Sequence, residues 1–321
     1  MSSNEYRITS ASKNITAVIF SYGGIIKDFL VRTPDGKTYN IVCGHKTLED
    51  YKKDTDTRMG AFIGRHLGRI NGASFTLDGT TYRLSKNNNN AHLHGNFNSE
   101  NLCVKEHTEH SITFTYFSKD GEDGFPGNME VELTYRFDGE IFSIITKAKT
   151  DKATIFSPSN HSYFNLDESD TVYNSLLTIS TNKAFEIDKE ICKTGKILDV
   201  SNTPLNFTKK APISKANDES YDQTKWSGGI DHTYLFDKKG EALLEGKALT
   251  LKVTTIEKCI HVYSSGSLGE CSVKDRNGKL FKKGGAICFE TERYNENEEY
   301  PILHPGEEFK SETHWQIGYK Q

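Results

Sequence analysis

"MEVELTYRF", residues 129–137, sets Met129, Val131, Leu133, Tyr135 and Phe137 on one side of an extended chain. Glu130, Glu132, Thr134 and Arg136 fall on the other side. That period of two belongs to a strand, because successive side chains of a pleated backbone point to opposite faces. An apolar face backed by a charged one predicts an antiparallel strand with one side buried. The same period runs through "SITFTYF" (111–117), where Ile112, Phe114 and Tyr116 share a face. It returns in "ALTLKVTT" (248–255) with Leu249, Leu251 and Val253. Turn pairs punctuate these runs: Asp35-Gly36, Asn71-Gly72, Asp78-Gly79, Asp120-Gly121, Asp138-Gly139 and Asn277-Gly278. Asn-Gly and Asp-Gly supply the positive φ of tight hairpins. Only "TLEDYKK" (47–53) reads clearly as a helix, and 209–227 reads as an irregular surface loop. Many short strands between glycine turns predict an all-β sandwich or barrel. With no linker or repeat visible, one domain over residues 1–321 is expected.

Composition narrows the partners. The chain has 321 residues, enough to bury a core without disulfides or a structural metal. Its net charge of −4, with Lys and Arg spread along the chain, leaves no basic excess to neutralise phosphates, so no nucleic-acid partner is expected. No run approaches the ~18 apolar residues of a membrane span. The opening "MSSNEYRITSASKN" lacks the apolar core of a secretory signal, so a cytoplasmic location is expected. The six cysteines form no CxxC and read as reduced thiols.

Five segments carry candidate chemistry. In "AHLHG" (91–95), a strand would project His92 and His94 from one face, a pairing that can hold a metal as in β-barrel metalloenzymes. That pattern also wants a nearby carboxylate; position 98 is Asn98, and Glu100 falls out of phase. In "GRHLGRING" (64–72), Arg65 and Arg69 flank Gly68, and either guanidinium can fork onto hydroxyls or a carboxylate. In "SPSNHSYFNLD" (157–167), His161 is either a satisfied structural histidine or a proton-transfer group. In "GGIDHTYLF" (228–236), Asp231 either caps a turn or accepts hydroxyl hydrogen bonds. In "GGAICFETERY" (284–294), Glu290 lies within an apolar run. A carboxyl there suffers desolvation unless paired, and its pKa rises toward a range useful for a base.

Taken together these segments resemble the aldose 1-epimerase (galactose mutarotase) family. The resemblance spans "SYGGIIKDFLVRTPDGKTYNIVCGH" (21–45), "MGAFIGRHLGRINGASFTLDGTTYRL" (59–84), "NNNNAHLHG" (87–95), "NHSYFNL" (160–166), "GGIDHTYLF", "AICFETE" (286–292) and "LHPGEEF" (303–309). It implies one large antiparallel β-sandwich, an enzyme without metal or cofactor, and a small-molecule sugar as partner, acting as monomer or homodimer. The reaction it implies interconverts the α and β anomers of hexoses such as galactose and glucose. It assigns His161 as the acid toward the ring oxygen and Glu290 as the base toward the anomeric hydroxyl. Arg69, His94 and Asp231 would hold sugar hydroxyls, and Tyr163 or Phe289 would stack on the sugar. The competing readings are a sugar-binding protein without catalysis, a relative acting on sugar phosphates, a glycoside hydrolase, which usually needs two carboxylates, and the metal enzyme above.

The chain departs from the family pattern at Arg58, Asn96, His261 and Glu292, and in "YNENEEYP" (294–301), changes expected to surround the sugar. Glu292 shares a strand face with Glu290, so its like charge is expected to raise the base's pKa, with His261 offsetting it if the two lie close.

Overall fold

The alternating runs pair into sheets. The computed structural model describes residues 4–296 and 299–320, so part of the 294–301 departure lies outside the described residues. Among these residues, nine strands form the largest sheet. Its order is Cys103–His107, Ser111–Ser118, Met129–Asp138, Ile141–Thr150, Phe309–Tyr319, Leu249–Thr255, Gly240–Glu245, Leu176–Ile179 and Ala211–Pro212. The three runs read as strands all lie in it, and Met129, Val131, Leu133, Tyr135 and Phe137 are all buried. A second sheet of six strands runs Tyr163–Phe164, Ile287–Glu292, Cys259–Tyr263, Asp231–Leu235, Lys183–Ile187, Lys193–Asp199. A four-stranded sheet spans residues 5–40, and every pairing between these strands is antiparallel.

The sheets meet over one apolar layer. Trp315, buried in the nine-stranded sheet, packs its ring centroid 5.6 Å from Phe29, 5.2 Å from Phe142 and 4.8 Å from Phe164. Those three aromatics belong to the four-, nine- and six-stranded sheets respectively, so one side chain joins all three layers. The architecture is the large antiparallel β-sandwich that the sequence pattern and the resemblance predict.

Two local readings sort differently. The predicted helix forms over Leu48–Lys53, capped by a reciprocal pair in which Thr47 accepts from the Asp50 amide and Asp50 accepts from Thr47. The 209–227 stretch is not an irregular loop. It holds the short strand Ala211–Pro212, a 3-10 turn over Ile213–Ala216 and a helix over Asp222–Ser227. Gly228 at φ 66 ends that helix in the left-handed conformation that glycine adopts without strain.

The six-stranded sheet turns one face to the core and the other to a cavity. Along Ile287–Glu292, Ile287 and Phe289 join the main core, while Glu290 and Glu292 face the cavity. Phe289 therefore packs beside Phe164 and lies away from any sugar, which corrects the stacking role expected for it.

Candidate active site

The cavity has a volume of about 590 Å³, within the roughly 300–1,000 Å³ range of small-molecule sites. His161, Glu290, Arg69, His94 and Asp231 all line it, although more than two hundred residues separate Arg69 from Glu290 in the chain. Strand pairing brings them together.

His161 sits between the strands Ser159–Asn160 and Tyr163–Phe164. Its backbone is tied on both sides: its N–H donates to Ala61 O (2.8 Å) and its carbonyl accepts from Gly60 N (2.9 Å). The ring stacks on Tyr163, with centroids 4.9 Å apart and planes at 15°. It meets His94 edge-on at 5.1 Å. Its Nε2 lies 3.7 Å from Glu290 Oε2, and Glu290 is 1% exposed. His161 Nδ1 and Glu290 Oε2 are buried and make no hydrogen bond. Two buried polar groups left unsatisfied are costly in a finished fold and common where a substrate completes them.

Burial sets the protonation of this pair. It pulls the His161 imidazolium down to about 3, helped by the positive charges of Arg58 and His261. It pushes the Glu290 carboxyl up to about 8; His261 opposes this, while Asp231 and Glu292 add to it. The expected contribution of Glu292 is present, and it is smaller than that of burial. Treated as one coupled unit, the pair holds a single proton across neutral pH.

His94 reaches the cavity by a route the sequence did not show. The strand stops at His92–Leu93, and His94 has φ 68, which rotates its side chain out of the HxH alternation. His92 instead points to Asp123, 3.1 Å away, and to Ser85 O at 2.8 Å. The paired-histidine metal face therefore does not form. Gly95, at φ 67, allows the turn: a Cβ there would sit 2.0 Å from Gly64 O. His94 Nδ1 accepts from the Gly68 amide at 3.2 Å. Burial drives the ring far toward neutrality, so Nε2 carries the proton and offers a donor to the cavity.

The ligand atoms of His94, His161 and Glu290 lie within 4.8 Å of one another. The His94 tautomer makes this trio a poor metal set, because a ligating nitrogen must present a lone pair. A second trio, His45, Asp54 and Cys271, is internally satisfied: His45 bonds Lys274 O and Asp54 Oδ2, each at 2.8 Å.

Of the two arginines flanking Gly68, only Arg69 faces the site. It donates to Asn88 Oδ1 (3.0 Å) and Ile191 O (3.4 Å), with donors left over. Arg65 is fully buried and holds Ser118, Pro126 and Gly127, a structural clamp. Asp231 accepts from His261 Nε2 at 2.8 Å, an ion pair the sequence did not reveal. The departures divide likewise. Arg58, His261 and Glu292 line the cavity, whereas Asn96 donates to Glu122 away from it, so that change does not surround the sugar. Trp226, on the helix Asp222–Ser227, is a lining aromatic that sequence reading missed inside its supposed loop.

An antiparallel sandwich with a polar cavity, built around a buried His–Glu pair and a ring of hydrogen-bonding groups, is the framework of an acid–base enzyme for a small polar substrate. The profile of the aldose 1-epimerase family matches residues 5–316, and the chain belongs to that family. A galactose mutarotase of Sus scrofa is 28% identical, covering 94% of this chain and 91% of its own length. An aldose 1-epimerase of Escherichia coli K12 is also 28% identical, covering 97% and 95%. Among solved structures, a GalM/aldose epimerase homologue from C. elegans superposes with TM-score 0.91 at 24% identity over the whole of both chains. Galactose 1-epimerase from Lactobacillus acidophilus gives TM-score 0.85 at 21% identity, also over both whole chains.

Proposed function

We propose that this chain interconverts the α and β anomers of aldohexoses of the galactose and glucose type, with His161 and Glu290 as the proton-transfer pair. The observation that carries the reading is the buried His161–Glu290 pair at 3.7 Å, in which burial keeps the imidazole neutral and the carboxyl protonated. Ring opening needs a proton delivered to the ring oxygen while another leaves the anomeric hydroxyl. A pair holding one proton meets both needs without net exchange with solvent. In the free site that proton rests on Glu290. With sugar bound, the working arrangement has it on His161, and the two arrangements differ only in where it lies.

His161 gives its proton to the ring oxygen as Glu290 takes the one on the anomeric hydroxyl. The bond from C1 to the ring oxygen breaks and C1 becomes an aldehyde. Rotation about C1–C2 turns the other carbonyl face to the C5 hydroxyl. That hydroxyl attacks, its proton returns to His161, and Glu290 returns its proton to the new anomeric oxygen. Each proton-transfer group contributes about 10²–10⁴ in rate. His94 Nε2–H and the spare donors of Arg69 hold sugar hydroxyls as acceptors, while Asp231 accepts from one through its second oxygen. This fixes the reacting geometry. No metal or cofactor enters this chemistry. No helix among the described residues is long and apolar enough to cross a membrane.

A sugar carrying an anionic group is the second reading. Arg58 lines the cavity, donates only to the carbonyls of Asp56 and Leu93, and has no carboxylate within ion-pair distance among the described residues. Polarimetry on freshly dissolved α-D-galactose, α-D-glucose and α-D-glucose 6-phosphate separates the readings. Acceleration of the neutral sugars is expected. A rate no faster than spontaneous for all neutral aldoses tried refutes the first reading, and a response to the phosphate alone selects the second. A chelator is expected to leave the rate unchanged, and inhibition by it brings back a metal.

A further inference from the structure

Beside the proton-transfer pair runs a chain of polar contacts that crosses four strands. Lys193 pairs with Glu292 Oε1, and Glu292 Oε2 accepts from Thr233 Oγ1 at 3.1 Å. Thr233 Oγ1 also contacts His261 Nδ1 at 3.0 Å, and His261 Nε2 contacts Asp231 Oδ1 at 2.8 Å. Cross-strand register sets the chain: Thr233 lies opposite His261, and His261 lies opposite Glu290.

Hydrogen-bond accounting fixes the charges. An ionised carboxylate only accepts, and a hydroxyl has one proton to give. Glu292, paired with Lys193, accepts, so the Thr233 proton points to Glu292. Thr233 Oγ1 is then an acceptor toward His261, and His261 Nδ1 must donate. Asp231 accepts as well, so His261 Nε2 must also donate. A ring that donates from both nitrogens is an imidazolium. The chain thus alternates Lys193 plus, Glu292 minus, His261 plus, Asp231 minus.

We infer that His261 is a positioning residue that carries a standing positive charge, orients Asp231 toward the sugar, and together with Glu292 sets the pH range in which Glu290 works. The inference rests on the mutarotase reading for its kinetic consequence, but the charge state of His261 does not depend on it. The groups acting on Glu290 are His161 beside it, His261 and Asp231 across the sheet, Glu292 on its own strand, and Arg69 from outside the sheet. Those acting on His261 are Asp231, Glu290 and Glu292, which favour its charge, against burial and its influence on the neighbouring His94, His161 and His232 rings. Glu292 is also favoured by His66. His261 and Glu292 are opposite charges on either side of the base, so each cancels the other's effect on it. Removing His261 leaves Asp231 and Glu292 acting on Glu290 and makes it harder to ionise. Removing Glu292 frees Lys193 and His261 to favour its ionised form. Removing both restores the balance.

Two measurements test this. The first is the alkaline limb of the pH profile of kcat/KM. His261→Gln is expected to move it up and Glu292→Gln down, each by about half a pH unit or more, with the double variant close to wild type. Shifts in one direction, losses uniform across pH, or a double variant displaced from wild type as far as either single variant overturn the inference. The second is ¹⁵N NMR of the His261 ring, which reads the charge state whether or not the chain turns over any sugar. Both nitrogens are expected to be protonated at pH 7 in wild type, because Asp231 holds the ring above the ordinary imidazole range. Thr233→Val, which removes the acceptor while keeping the shape, is expected to lower that titration. A neutral ring at pH 7 in wild type, or a titration unmoved in Thr233→Val, overturns the inference even if activity is present.

Discussion

Glu290 pays for its position with stability. Its ordinary value is 4.5, and burial raises it to about 8. Between those values the folded chain keeps a proton that the unfolded chain has released. Native protein then binds more protons than unfolded, so stability falls as pH rises from about 4.5 to about 8. Glu290→Gln removes that dependence. Its melting temperature relative to wild type is expected to rise by several degrees more at pH 8 than at pH 5, a difference of about 3 kcal/mol in stability. Scanning calorimetry at the two pH values checks this, and a difference that is absent or reversed shows that Glu290 is ionised in the folded chain. The same residue was the acid most legible in the sequence, because a carboxyl inside the run "AICFETE" has no cheap structural explanation. Its proton partner was less legible. Nothing in "SPSNHSYFNLD" says that His161 faces a carboxylate some 130 positions away, because that contact exists only once Tyr163–Phe164 pairs with Ile287–Glu292.

At the scale of the element, alternation succeeded where strands are long and failed where they are short. Met129–Asp138 runs ten residues with a clean buried face, so a period of two suffices to read it. His92–Leu93 is two residues long, and the left-handed turn at His94 lies outside any periodic pattern. That turn places His94 in the cavity, and it depends on the close approach of Gly95 to Gly64. Gly95→Ala is expected to lower kcat/KM by about tenfold or more, a loss of about 1.4 kcal/mol or more in transition-state stabilisation, because the clash moves His94 and with it a hydroxyl donor. Unchanged kinetics in a folded Gly95→Ala chain rules that geometry out. The 209–227 stretch misled for a different reason. It is polar because most of its side chains are exposed, and the apolar contacts that order it, through Ile213 and Ala216, are too few to form a period. Trp226 on that helix is expected to act mainly on sugar binding. Trp226→Ala should raise KM more than it lowers kcat, and a pure kcat effect would place Trp226 in the chemistry instead.

Over the whole molecule, the sandwich is the scaffold that holds distant residues at fixed spacing. Its three sheets meet at Trp315. Trp315→Ala opens a cavity where the sheets meet and is expected to cost about 3–5 kcal/mol, read by denaturant unfolding. A loss below about 1 kcal/mol means that the layers do not depend on this contact. The fold class was legible because alternation and glycine turns repeat over most of the chain. The electrostatic design of the site was not. Asp231, His261, Thr233, Glu292 and Lys193 lie on four strands, and their charges have meaning only in the register that aligns them.

The most direct measurement is magnetisation-exchange NMR of equilibrated D-galactose, which reads α–β interconversion at equilibrium, with wild type, His161→Gln and Glu290→Gln side by side. Wild type is expected to exchange the anomers far faster than buffer, with each variant losing about 10²-fold or more of that excess. A folded variant at either position that exchanges the anomers as fast as wild type contradicts the pairing of His161 with Glu290 as the proton-transfer groups.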